Sequence, residues 1–273
     1  MSDALTAPRA SDRATLLDVR GVQKTYTGRG RTVEAVRDLT FSVGQGELVC
    51  IVGPSGAGKT TLLKCIAGLL APTSGTVTLD GARVTSPPPS MAVVFQEYGR
   101  SLFPWMTVEG NVELPLKQKK LPKARRRELV HEALEAVGLG DVHDAYPWQL
   151  SGGMQQRVAI ARAVAYQPQV LLMDEPFAAV DAQTREMLQD ELLKIWNENK
   201  TTVLFVTHSI EEAIYLGDRV LVMGSRPGRI AADIETGLPR PRSDSDVKSS
   251  ARFDELRRLV RETLRNAQAP AAA

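Results

Sequence analysis

The 273-residue chain is short of cysteine, of net charge and of long apolar runs. Its two cysteines, Cys50 and Cys65, show no metal-ligand spacing and read as small buried hydrophobes of a reducing compartment. The 34 basic and 32 acidic residues nearly cancel, leaving +2, so no global field favours nucleic acid as a partner. No apolar stretch approaches the roughly 18 residues that cross a bilayer. The first residues, MSDALTAPRASDRAT, contain no apolar signal core. Residues 1–14 are therefore expected to be a disordered lead-in, the chain to be cytoplasmic, and any membrane role to come through a partner. What remains, 43% hydrophobic and 24% charged, is an ordinary globular composition, long enough for one large domain or two modest ones.

Against that plain background one segment stands out. The apolar stretch Glu47–Val52 runs straight into Gly53, Pro54, Ser55, Gly56, Ala57, Gly58, Lys59, Thr60 and Thr61. A strand, a glycine loop and a helix start, in that order, make a phosphate cradle. Glycines let consecutive backbone N–H groups turn into one concavity. Lys59 can reach β- and γ-phosphates, and the Thr60 hydroxyl can ligate Mg²⁺. Average composition would produce the pattern GxxxxGK[ST] in about one chain of this length in a hundred, so a chance glycine turn is a poor explanation.

Short apolar bursts over residues 15–52 predict strands, as do Gly75–Leu79 and Met91–Phe95. Thr60 to Leu70 predicts a helix that Gly68 and Pro72 end. From Gln96 to Gln149 strand signals vanish. Lys123–Val137 carries a helical stripe of Leu129, Ala133, Leu134 and Val137, as expected of a helical insertion. The continuous apolar runs Val170–Met173 and Thr202–Val206 predict buried strands. Helices are expected at Thr184–Asn199, with Leu188, Leu192, Leu193 and Trp196 inward, and at Ile210–Leu216, before a strand at Arg219–Met223. Alternating strands and helices imply an α/β core with a parallel sheet. Beyond Pro239 the chain turns polar, and a last helix, 252–265, presents Phe253, Leu256, Val260 and Leu264 on one face.

Two further segments carry chemistry. The buried strand ends in Asp174-Glu175-Pro176, and the carboxyl end of such a strand is where an open α/β sheet places ligands. Asp174 can hold Mg²⁺ through water, and Glu175 can polarise an attacking water. In Leu150-Ser-Gly-Gly-Met-Gln-Gln-Arg157, Ser151 can cap the helix that follows, while Gly152 and Gly153 leave its N-terminus bare and attractive to anions.

The order of these motifs resembles the ATP-binding cassette family over residues 15–235, a stretch read as one ATPase domain. The resemblance implies a P-loop NTPase (RecA-like) α/β core, an antiparallel β subdomain, an inserted helical subdomain at about 97–157, and a C-terminal tail over 236–273. Gly53–Thr61 is similar to the Walker A loop, and Val170–Pro176 to the Walker B strand. Leu150–Met154 is similar to the signature loop, with Met154 where Gln is commonest. Gln96 resembles the Q-loop residue that contacts Mg²⁺ and the γ-phosphate. Asp181 resembles the D-loop aspartate, behind Val180 in place of the usual Leu. His208 resembles the switch histidine, and Tyr26 the aromatic that stacks on adenine. The family binds ATP with Mg²⁺ between two cassettes set head to tail, so that Lys59 of one copy would face Ser151 of another. Implied partners are a second copy, a membrane permease and, through it, an extracytoplasmic solute-binding protein. The implied place is the cytoplasmic face of the cell membrane.

Pro104-Trp105-Met-Thr-Val, Asn111-Val, Asp181–Arg185 and Ser225–Ile230 are similar to the nitrate/sulfonate/taurine importers. The apolar cluster Leu102, Phe103, Trp105 and Met106 is compatible with subdomain packing or with a groove for a permease helix. Seven basic residues between Lys117 and Arg127 read as a solvated helical face. The relatives that act on DNA or ribosomes need a long coiled coil, zinc cysteines or a second glycine loop, and none is here. An exporter or lipoprotein-release subunit is the closer alternative to an importer.

Overall fold

The computed structural model describes residues 13–28, 30–97, 99, 101–225, 227–242 and 246–268. Residues 1–12 of the expected lead-in, and Arg226 of the Ser225–Ile230 stretch, lie outside them. Chain contacts divide the molecule into two units, Met1–Pro88 with Thr202–Ala273, and Pro89–Thr201.

In the first unit, β1 (Thr15–Gly28) and β2 (Arg31–Gly44) form a long antiparallel pair. Together with β4 (Ser74–Leu79) and β5 (Ala82–Arg83) they make a sheet of order β2-β1-β4-β5. The second layer holds β3 (Leu48–Val52), β8 (Thr202–Thr207) and β9 (Arg219–Met223), with β3 parallel to both neighbours. All three are buried at every position, which is why they read as continuous apolar runs rather than alternating ones. The antiparallel edge strand β10 (Ile230–Glu235) alternates between exposed and half-buried residues. Helix α1 (Lys59–Ile66) follows β3, and α6 (Ile210–Leu216) follows β8. The last helix, α7 (Ala251–Gln268), packs on α6, β9 and β10 through Phe253, Leu256 and Val260, while Leu264 is only half-buried.

The segment before α7 is held by charge. Arg13 and Arg240 both pair with Asp218, at 3.0 and 2.7 Å. Arg242, 3% exposed, donates to the carbonyls of Ile214, Tyr215 and Gly217 and to Thr236 Oγ1. Those carbonyls end α6, where no further turn of helix supplies donors. Arg240 and Arg242, in the stretch that reads as a polar tail, are thus built into the unit.

The second unit pairs β6 (Met91–Val94) with β7 (Val170–Asp174) in parallel. Its helices are α2 (Val108–Glu113), α3 (Lys123–Ala136), α4 (Gly152–Ala165) and α5 (Ala182–Asn199), and α2, α3 and α4 pack on one another. The predicted stripes of α3 and α5 are the buried ones. Basic residues between 117 and 127 are largely engaged in local pairs: Arg126 and Lys117 on Glu113, Arg125 on Glu128. Lys119 lies over the Tyr166 ring and donates to the carbonyls of Tyr166 and Gln167.

Candidate functional site

In the first unit the glycine loop joins β3 to α1 in a conformation that sequence alone can explain. Gly58 caps α1 at φ +84°, and a Cβ there would lie 2.4 Å from Val36 Cγ1 and 2.7 Å from the Ala35 carbonyl oxygen. A Cβ on Gly53 would come within 2.9 Å of the Met223 carbonyl oxygen. The loop backbone therefore lies directly against β2 and β9, with room for no side chain on that side. Lys59 Nζ, buried, donates to the carbonyls of Gly53 (2.8 Å) and Pro54 (3.1 Å). A cation is thus fixed under the loop, at the positive end of a helix with no acidic residue in its first turn. Thr60 is exposed at that helix start. Tyr26, 44% exposed near the end of β1, has its hydroxyl 3.4 Å from Thr61 Oγ1, so an open aromatic face stands beside the loop.

Strand register decides what else arrives there. Val52 pairs with Thr207, so the residues that follow, Gly53 and His208, leave adjacent strands at the same level. His208 is exposed. The turn that carries it is fixed by Ser209, which caps α6 by accepting from the Glu212 N–H at 3.3 Å, and whose own N–H donates to Thr207 Oγ1. The Thr207 hydroxyl in turn bonds the buried Glu212 carboxylate.

The same logic operates in the second unit. Val94 pairs with Met173, and two residues on from each, Gln96 Nε2 meets Glu175 Oε2 at 3.4 Å. Asp174 is 2% exposed at the end of β7. Glu175 is partly exposed and has φ +48°, a left-handed conformation uncommon outside glycine. Ser151 caps α4, its Oγ accepting from the Met154 N–H at 3.3 Å. A Cβ on Gly153 would stand 3.2 Å from the Ala179 carbonyl oxygen, so α4 starts in close contact with the Glu175–Asp181 turn. Asp181 caps α5 by accepting from the Thr184 N–H at 3.0 Å, a bond that holds its carboxyl below the usual carboxylate range.

Among the described residues no three His, Cys, Asp or Glu side chains cluster as a metal cage. Mg²⁺ takes one or two protein oxygens and completes its shell from water and phosphate. Each unit has a hard oxygen donor of the kind Mg²⁺ takes: in the first, the Thr60 hydroxyl at a helix start; in the second, the buried Asp174 carboxylate at a strand end.

These features fit the comparison with known proteins. Residues 36–178, just over half of the chain, match the family model described as ABC transporter. The chain belongs to the ABC transporter family. It is 46% identical over 246 residues to the aliphatic sulfonates import ATP-binding protein SsuB of Bacillus cereus, covering 89% of this chain and 94% of that protein. It is 47% identical over 223 residues to the nitrate import ATP-binding protein NrtD of Synechocystis, covering 82% and 83%. A solved dimeric bacterial ABC transporter cassette is 34% identical with a TM-score of 0.74, over 81% of this chain and 98% of that one. The same cassette, in a dimeric post-hydrolysis state bound to ADP and Pi, gives 0.73 at equal identity and coverage. The chain is accordingly an ATP-binding ABC ATPase with a P-loop NTPase fold.

Three polar residues of this ABC ATPase, two buried and one half-buried, hold backbone in ways that the motifs do not disclose. Asn111, fully buried, accepts from the Phe103 N–H and donates to the carbonyls of Phe103, Met106 and Thr107. Arg162 holds the Ser101 carbonyl at 2.6 Å and its hydroxyl at 2.9 Å. Gln156, fully buried, donates to the Glu175 carbonyl and accepts from the Ala179 N–H. A polar residue on an otherwise apolar helical stripe, as Gln156 is with Ile160 and Ala163, is a signal that could have found it. Between them Asn111 and Arg162 fix the segment 101–107. That segment divides the apolar cluster: Leu102 is buried, Met106 and Phe103 are half-buried, and Trp105 is 72% exposed against Phe103, with ring centroids 5.4 Å apart.

Proposed function

We propose that this chain is the ATP-hydrolysing subunit of an importer for a small solute, such as nitrate, a sulfonate or taurine. The loop Gly53–Thr61 takes the phosphates of ATP on backbone N–H groups and on Lys59, and Tyr26 offers its open ring to the base. Glu175 accepts a hydrogen bond from the attacking water, Gln96 holds that carboxylate, and His208 serves as a polar contact to the terminal phosphate. Thr60, Asp174 and Gln96 are the residues that would hold Mg²⁺, which supplies charge neutralisation on the phosphate oxygens. Ser151, Gly152, Gly153 and Asp181 complete the site of a second copy, so two chains bind head to tail with ATP between them.

The observation that carries this reading is the pair of registers. Val52 with Thr207, and Val94 with Met173, bring the loop level with His208 and Gln96 level with Glu175. Those are the residues a phosphate-transfer site requires. Both relatives are named import proteins, which favours import over export. No helix among the described residues is long and apolar enough to cross a membrane. A permease partner would supply the span, with the cassette peripheral on its cytoplasmic face and a solute-binding protein acting through the permease. The rigidly held Phe103–Trp105 pair offers that permease an apolar contact.

Glu175→Gln removes the carboxylate and keeps its size. The expected result is loss of hydrolysis with retained ATP- and Mg²⁺-dependent dimerisation on size-exclusion chromatography. A strict monomer at saturating ATP overturns the clamp. Solute-stimulated ATPase activity of the reconstituted complex, across nitrate, sulfonates and taurine, identifies the cargo class.

A further inference from the structure

Gln156 has no role in the chemistry assigned above, yet it lies between two parts of it. It is on the second turn of α4, the helix that Ser151 caps and that Gly152 and Gly153 begin. Its amide is fully buried. On one side Nε2 donates to the Glu175 carbonyl at 3.4 Å; on the other, Oε1 accepts from the Ala179 N–H at 3.1 Å. Glu175 also accepts a turn hydrogen bond from the Ala178 N–H at 3.2 Å. The turn from Glu175 to Asp181 is thus spanned by one side chain that reads its first carbonyl and a later N–H.

Why such a brace is needed follows from the backbone. Glu175 is held at φ +48°, a conformation that is strained for a residue with a Cβ and relaxes unless its surroundings over-determine it. The conformation decides where the carboxylate points, because the strand has ended one residue earlier, at Asp174. A glutamine amide is well matched to such a brace. It donates and accepts at once from a planar group and, being neutral, is buried at far lower cost than a charge.

We propose that Gln156 is a positioning residue for hydrolysis: it fixes the left-handed Glu175 to the start of α4, so that the anion-facing turn of α4 and the catalytic carboxylate move as one body. The inference rests on reading Glu175 as the water-polarising carboxylate. In a head-to-tail pair, α4 faces the nucleotide held mainly by the other copy, whereas Glu175 serves the nucleotide held by its own chain. Engagement of Ser151–Gly153 at one site is then transmitted through the Gln156 amide to the geometry of the other, and the two sites fire in concert.

The test compares Gln156→Met and Gln156→Glu with Glu175→Gln and wild type in the full-length chain. Met keeps the length of the side chain and loses both bonds; Glu retains an acceptor for Ala179 but, ionised, no donor for Glu175. The measurements are kcat, KM for ATP, the Hill coefficient for ATP, the Kd of a fluorescent ATP analogue and the thermal midpoint. Both variants should bind the analogue within about twofold of wild type and lose about tenfold to a hundredfold in kcat, as misplacement of a catalytic group does. In Met, the Hill coefficient should fall towards one. Unchanged kcat in Met overturns the inference. So does loss of nucleotide binding and thermal midpoint together with kcat in both variants, which would make Gln156 a residue of the fold only. Glu175→Gln separates the two readings: if it still hydrolyses ATP, the carboxylate assignment fails. If it is inactive while Gln156→Met is fully active, only the positioning role fails.

Discussion

Replacing Arg242 by Met should destabilise the fold without touching a nucleotide-contacting residue. The guanidinium makes four hydrogen bonds: to the carbonyls of Ile214 (3.2 Å), Tyr215 (2.7 Å) and Gly217 (2.8 Å), and to Thr236 Oγ1 (3.1 Å). Helix α6 ends here, and the Asp218 N–H, which would have continued its ladder to Ile214, is spent on the Leu48 carbonyl. Methionine fills a similar volume but leaves the last carbonyls of α6 buried without these donors. Each such group costs about 1–3 kcal/mol. Opposing this, burial and the neighbouring Arg240 press the Arg242 pKa down to about 9 against the pull of Asp218, so the charged form is less comfortable here than in water. Its Nε has no hydrogen-bond partner among the described residues, a further cost that Met removes. Asp218 keeps Arg13 and Arg240 in the variant, so no charge is orphaned. The Gly217 carbonyl keeps the Thr236 hydroxyl. Two newly exposed deficits, Ile214 and Tyr215, less the relief of desolvation, leave about 2–3 kcal/mol of net destabilisation. For a chain of this size that is a fall in Tm of about 5–10 °C. Urea and thermal unfolding followed by circular dichroism read it directly. A variant within about 0.5 kcal/mol of wild type, the range of ordinary surface substitutions, would refute the capping account.

Two other outcomes follow from charge placement. Asp218 is held below the usual carboxylate range: burial pushes it up, but Arg240, Arg242 and Arg13 outweigh that. A depressed carboxyl contributes stability that is complete above its unfolded pKa of about 4 and is lost as pH falls through its lower folded value. Asp218→Asn should therefore lose stability at neutral pH and show a flatter acid limb between about pH 5 and pH 1 than wild type; an unchanged limb refutes it. Lys59→Ala should abolish ATP hydrolysis in a steady-state phosphate-release assay, and turnover at the wild-type rate would remove the glycine loop from the site.

Legibility from sequence follows the physics of burial. Strands β3, β8 and β9 are buried along their whole length, so their composition reports them without help from partners. Strand β10 escapes a local reading because it lies at an edge and carries Ala232, Asp233 and Glu235, half of its positions facing water; its pairing with β9 defines it, and pairing is not local. The same division separates the site residues. Gly53–Thr61 announces itself because a loop that must lie against Val36 and Met223 tolerates few residue types. His208 and Tyr26 carry no local signal: an exposed imidazole after a strand and a half-exposed phenol are commonplace until Val52 is paired with Thr207 and Tyr26 is set beside Thr61.

Asn111, Arg162, Gln156 and Arg242, whose contacts the sequence does not disclose, share a different property. Each is a buried or half-buried polar side chain whose partners are mostly backbone carbonyls and N–H groups. Backbone groups are the same whatever the sequence, so nothing at the partner positions marks the contact in advance. The mark lies on the polar residue alone, as an amide or guanidinium where helical spacing or a burial pattern calls for an apolar group. Such a residue is retained at a desolvation cost, and a cost of that kind is met only where the backbone it holds has to be held: the Phe103–Trp105 loop by Asn111, the end of α6 by Arg242, the left-handed Glu175 by Gln156. A polar interruption of an apolar stripe is thus a pointer to the backbone segments that function requires to stay still.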